Sequence, residues 1–115
     1  MKYIAKIDRE ISASHQLKGD IYTEKCKSLH GHNYKIHIEL SCSELKNGMV
    51  IDFGEVKSIV DKYDHKNLND FIEQPTAEMI AQTLYNDLVA VCENRVKIES
   101  ISVQETTGNT VEVKE

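Results

Sequence analysis

The stretch His30 to Leu40, HGHNYKIHIEL, decides how the rest of the chain is read. Successive side chains of a strand point to opposite faces, so His32, Tyr34, Ile36, Ile38 and Leu40 share one face and Asn33, Lys35, His37 and Glu39 share the other. One face is apolar apart from its histidine and the other is polar, which is the pattern of a strand lying on a core with its back to water. His30 and His32 sit two residues apart on the core-side face, with the small Gly31 between them. His37 falls on the polar face and is expected to look into solvent.

Working outward, Tyr3 to His15 repeats the two-residue period: the odd positions are apolar or small except Arg9, and the run ends on His15. The pattern is lost between Gln16 and Ser28, around Gly19 and Asp20. After a turn at Asn47-Gly48, Asp52 is an N-cap candidate with Glu55 three residues on, and Phe53, Val56, Ile59, Val60 and Tyr63 recur at helical spacing, which predicts a helix of about three turns. A second helix starts after Pro75-Thr76, carries Ala77, Ile80, Ala81, Leu84, Leu88 and Val91 as its apolar stripe, and is expected to end near Asn94. Alternation returns in VKIESISVQE, where Ile101, Val103 and Glu105 share a face. A Gly108-Asn109 turn then leads to a short strand through Val111 and Val113. The order ββααββ predicts an α+β domain with a four-stranded antiparallel sheet and two helices on one face. Such a sheet leaves two unpaired rims, and joining rims between subunits covers them, so a homo-oligomer is expected.

With 115 residues the chain is read as one domain spanning 1–115, large enough for a single two-layer core. Neither a signal-peptide core nor an apolar run of membrane-spanning length is present, so a cytoplasmic protein without membrane contacts is expected. A net charge of −5 argues against general nucleic-acid binding and mildly against an anionic substrate, although Arg9, Lys18, Lys25, Lys27 and Lys66 lie close in sequence to the candidate site. Cys26, Cys42 and Cys92 are an odd number without a CxxC pair, so neither a disulfide framework nor a zinc ribbon is indicated. Cys42 and Cys92 read as small apolar fillers.

His15, His30 and His32 offer three imidazoles for one metal ion, and three histidines with an open fourth corner are a catalytic zinc arrangement. Cys26, four positions before His30, has two readings at this stage: a fourth ligand that closes a structural site, or a free thiol that exchanges a proton with substrate. In YDHKNLND, Asp64 beside His65 orients an imidazole that can accept a proton. Glu105 points inward with Ile101 and Val103 and needs a partner; a planar ligand with two adjacent N–H donors would supply one.

Together, ISASHQL, CKSLHGHNY, GMVIDFGEVK, YDHKNLND, QPTAEMIA and VQET resemble the 6-pyruvoyltetrahydropterin synthase family. Within it they resemble most the bacterial branch, the 6-carboxy-5,6,7,8-tetrahydropterin synthases of queuosine biosynthesis. The three residues between Cys26 and His30 match that branch, whereas the pyruvoyl-forming branch usually has a longer gap. Ile11, Ser14 and Tyr63 depart from the usual phenylalanine, alanine and leucine, altering packing rather than a chemical group. The resemblance implies the tunnelling fold, with sheets joined between subunits into a barrel, a hexamer as the expected assembly, and sites between subunits. It implies Zn²⁺ on His15, His30 and His32, a catalytic Cys26 assisted by Asp64 and His65, and a pterin held by Glu105 with Thr106. The implied activity is that of a zinc-dependent carbon–carbon lyase, converting 7,8-dihydroneopterin triphosphate to 6-carboxytetrahydropterin, acetaldehyde and triphosphate. Its rivals are the pyruvoyl-forming reaction on the same substrate and, from another class, a non-catalytic zinc-binding module closed by Cys26. A cysteine hydrolase using Cys26 and His65 leaves the HGH motif unexplained.

Overall fold

The two long alternating runs become the two longest strands in a computed structural model that describes residues 1–20 and 23–115. Strand β1 (Tyr3–His15) and β2 (His30–Cys42) pair antiparallel over their whole length, from Tyr3 opposite Cys42 to His15 opposite His30. The connection between them carries a four-residue helix, α1 (Glu24–Lys27), capped by Thr23, that the lost alternation concealed. Helix α2 (Phe53–Asp61) starts where Asp52 accepts a hydrogen bond from the Gly54 N–H at 2.9 Å. Its nine residues make about two and a half turns rather than three.

Past α2 the chain adds a two-residue strand, β3 (Lys66–Asn67), running parallel to β1 at Ala13 and Ser14, and a single 3₁₀ turn at Leu68–Asp70. Helix α3 (Ala77–Val91) is capped by Thr76 and stops at Val91, short of Asn94, because Cys92 turns to an extended conformation. Strands β4 (Lys97–Thr106) and β5 (Asn109–Val113) complete a sheet ordered β3-β1-β2-β4-β5. The expected four-stranded antiparallel sheet is therefore corrected to five strands in a mixed sheet, and ββααββ omitted α1 and β3. Two residues are too few to show any period, so β3 left no pattern to read.

Both helices pack on one face, as expected. Ile7, Ile11, Ile36, Ile38, Ile101 and Val103 of the sheet form one cluster with Val56, Val60, Ile80, Leu84 and Leu88 of the helices. A register shift of β2 against β4 at Glu39/Leu40 lets both Ile98 and Ile101 turn inward, which strict alternation forbids. Arg9, the charge among β1's apolar positions, meets Asp61 at the end of α2 through a two-bond contact of 2.7 and 2.6 Å. The Asn47-Gly48 turn has positive φ at both residues, 53° and 76°, the geometry that Asn-Gly tolerates best. Leu84 is 1% exposed between α3 and the sheet, and Leu84→Ala should cost about 2–5 kcal/mol in urea unfolding. A loss below that range would mean the site collapses freely.

Candidate metal centre and active site

Antiparallel register builds a candidate metal site. His15 ends β1 directly opposite His30, the first residue of β2, and His32 lies opposite the small Ala13. One ring nitrogen from each histidine lies within 4.8 Å of the other two. The rings are mutually edge-on, with centroids 4.6–5.0 Å apart. His15 is 1% exposed.

The outer hydrogen bonds set which nitrogens are free. His15 Nδ1–H donates to the Pro75 carbonyl at 2.7 Å, and His30 Nδ1–H donates to the Ser28 carbonyl at 2.6 Å. In each neutral ring Nε2 then carries a lone pair, and these two Nε2 atoms stand 3.0 Å apart. Two lone pairs facing at that distance repel unless a proton or a metal ion lies between them. His32 Nε2 is buried with no hydrogen-bond partner, and burial lowers the pKa of its ring, which favours the neutral form. The donor set therefore fits a metal ion that favours imidazole, zinc among them.

Glu105 sits at a register shift between Gln104 and Thr106, where β4 and β5 lose step, with its carboxylate toward the histidines. Its Oε1 lies 3.5 Å from His15 Nε2 and 3.9 Å from His32 Nε2. Thr106 lies in the β4–β5 hairpin, its Oγ1 accepting from Asn109 Nδ2 at 2.8 Å. Tyr34, next along the face from His32, has a fully buried hydroxyl without a partner, and burial raises its pKa with Glu105 adding to the effect. Periodicity gave Tyr34's face, but nothing in the residue type marked its orphaned hydroxyl.

Cys26 lies outside the convergent donor set among the described residues. It lines a cavity of about 510 Å³ together with Glu105, Leu17, Thr76, Gly108 and Thr110, and the Thr23 hydroxyl donates to its Sγ at 3.6 Å. Asp64 and His65 are elsewhere. Asp64 Oδ1 accepts from the Ser12 N–H at 2.8 Å and His65 N–H donates to the Ser12 carbonyl at 2.6 Å, so the pair is pinned to the edge of β1. His65 takes a left-handed φ of 59°, a conformation stored at functional turns, and its largely exposed ring lines a cleft with Ser12, Ser14, His32 and Asn33 at the edge of the sheet. Within one chain, then, the three histidines and Glu105 converge, Cys26 shares the cavity of Glu105, and His65 shares a separate cleft with His32. His37 is half-buried on the polar face, bonded to Asp8 at 2.7 Å and Glu39 at 2.8 Å, which raise its pKa.

Comparison with known proteins shows the family. A family described as 6-pyruvoyl tetrahydropterin synthase matches residues 4–115. A relative from Archaeoglobus fulgidus, provisionally named 6-carboxy-5,6,7,8-tetrahydropterin synthase, is 35% identical over 96% of this chain and 95% of its own. A 6-carboxy-5,6,7,8-tetrahydropterin synthase from Haemophilus influenzae is 32% identical over 96% and 99%. A dihydroneopterin monophosphate aldolase from Pyrococcus furiosus is 31% identical over 89% of each chain. The solved 6-pyruvoyl tetrahydropterin synthase of Caenorhabditis elegans shares the fold, with a TM-score of 0.79 at 24% identity over 100% of this chain and 96% of that one. On the match across nearly its whole length and on relatives above 30% identity, the chain belongs to the 6-pyruvoyl tetrahydropterin synthase family of pterin enzymes.

Proposed function

We propose that the protein is a zinc-dependent 6-carboxy-5,6,7,8-tetrahydropterin synthase that cleaves the side chain of 7,8-dihydroneopterin triphosphate, supplying a 7-deazapurine (queuosine) route. The observation that carries this reading is the separation of Cys26 from the three histidines although it shares the Glu105 cavity. A ligand set of three with an unligated thiol beside it suits turnover, whereas the closed zinc module requires Cys26 among the donors.

When bound by His15, His30 and His32, zinc supplies a Lewis acid that makes hydroxyl protons of the substrate side chain more acidic. Glu105 accepts hydrogen bonds from the pterin's paired N–H donors and holds the ring so that the side chain lies toward the histidines. Cys26 Sγ takes and returns the side-chain protons, with the Thr23 hydroxyl steadying the thiolate. His65, held by Asp64, completes the proton relay. Their placement outside the cavity that Cys26 shares with Glu105 supports a relay in which the pair comes from a neighbouring subunit. The free rims agree: among the described residues β1 has a strand neighbour on its outer side only at Ala13 and Ser14, and β5 ends the sheet.

Incubating zinc-loaded protein with 7,8-dihydroneopterin triphosphate and assaying acetaldehyde with the pterin product tests the reading. Acetaldehyde with a 6-carboxypterin is expected. A pyruvoyl product without acetaldehyde would move the protein to the sister reaction, and intact zinc without turnover would favour the binding module. The Pyrococcus furiosus relative supports one alternative, aldol cleavage of a pterin monophosphate, which would release a phosphorylated two-carbon aldehyde from that substrate. Glu105→Gln should raise KM roughly ten- to a hundredfold, because a charge-assisted pair contributes about 1.5–3 kcal/mol, with zinc content unchanged. An unaltered KM would remove Glu105 from the anchor role.

A further inference from the structure

Residues Gln16 to Lys18 continue β1 beyond His15, where the sheet no longer offers a neighbour. In the parallel register of β1 and β3, Ala13 faces Lys66 and Ser14 faces Asn67, so residue 16 would face residue 69. The 3₁₀ turn at Leu68–Asp70 carries the backbone away at that point. The Asn69 side chain fills the gap: its Oδ1 accepts from the Gln16 N–H at 2.8 Å and its Nδ2 donates to the Gln16 carbonyl at 2.9 Å. Two residues on, Gln74 repeats the arrangement with Lys18, accepting at 3.0 Å and donating at 2.8 Å. A primary amide carries the same donor and acceptor as a peptide group, so the two side chains act as a surrogate strand. Leu17, between the clamped residues, faces the other way, and its N–H donates to the Cys26 carbonyl at 2.9 Å. Leu17 is 8% exposed and lines the cavity that holds Cys26 and Glu105.

We propose that Asn69 and Gln74 are positioning residues for Cys26: by clamping Gln16 and Lys18 they fix Leu17, and Leu17 fixes the backbone that presents the thiol to the Glu105 cavity. The proposal rests on Cys26 being the reacting thiol. It assigns a task to two amides in the loop between Asp64–His65 and α3 that neither ligate metal nor line the cavity, and it ties that loop to Cys26 as Pro75 ties it to His15.

The test uses zinc-loaded Asn69→Ala, Gln74→Ala and the double variant, read by amide hydrogen exchange, iodoacetamide alkylation of Cys26, kcat and KM. Cys92, at the far end of α3, is the internal reference for alkylation. Exchange at Gln16 and Lys18 should quicken about tenfold or more as their partners are removed. Cys26 alkylation should change by at least about threefold with Cys92 unchanged, and kcat should fall about tenfold while KM moves by less than about twofold. Zinc should remain bound. Asn69→Asp and Gln74→Glu, which keep the accepting oxygen, should retain most of the exchange protection and most of kcat. Wild-type Cys26 alkylation and kcat in the double variant would overturn the proposal, as would Cys26 and Cys92 becoming reactive together, which marks general loosening. Full turnover by Cys26→Ala protein would instead refute the reading beneath it, and the exchange and alkylation results do not depend on turnover.

Discussion

His15→Ala protein should lose its metal and much of its stability together. His15 is 1% exposed and uses both ring nitrogens, Nδ1 on the Pro75 carbonyl and Nε2 toward the metal position. Losing an outer hydrogen-bond partner of a ligand costs roughly 10–100-fold in metal affinity, so losing the ligand itself should exceed about a hundredfold. The vacated ring volume and the unpaired Pro75 carbonyl add about 2–4 kcal/mol of destabilisation even without metal. Metal content after dialysis against a weak chelator, with thermal unfolding of the metal-free protein, measures both. His37→Ala is the control, since His37 is on the opposite face and should leave zinc untouched. Wild-type zinc affinity in His15→Ala would dismantle the three-histidine site. Acidification should act in the same direction. The pKa of His32 is lowered in the fold by burial, so its contribution to stability is fully present above the ordinary histidine value of about 6.5 and is lost as the pH falls through the lowered value.

Cys26→Ala should give the opposite pairing, zinc retained and turnover lost. Proton transfer by a positioned side chain is worth about 10²–10⁴-fold in rate, and no other thiol lines that cavity among the described residues. Zinc should be retained because the three histidines converge without sulfur. Single-turnover assays on variant protein with measured zinc content separate the outcomes. Zinc lost along with the thiol would point to a closed structural site, and undiminished turnover would remove Cys26 from the chemistry.

The strands and helices that build the core were legible because each spans several periods of its own pattern. β1, β2 and the α3 stripe are examples, and Arg9's break in β1 was visible although its partner Asp61 was not. The elements that escaped are short: α1 with four residues and β3 with two. The same contrast divides the site. That His30 and His32 share a face follows from spacing alone, as does the inward direction of Glu105.

By itself, then, the sequence determined which faces of the long strands and helices turn to the core, which residue types were available for metal and proton chemistry, and the family to which their motifs belong. Tertiary structure alone decided which of them meet. His15 reaches His30 only through the register of two strands joined by a long connection, and Glu105 reaches both His15 and His32 only because β4 pairs with β2. Cys26 and His65 come to line different cavities in the same way. The physical reason is that side-chain periodicity is a local property of the backbone, whereas register, bulges and turns depend on how the whole core closes, and these place an atom to within the few ångströms that coordination and proton transfer require.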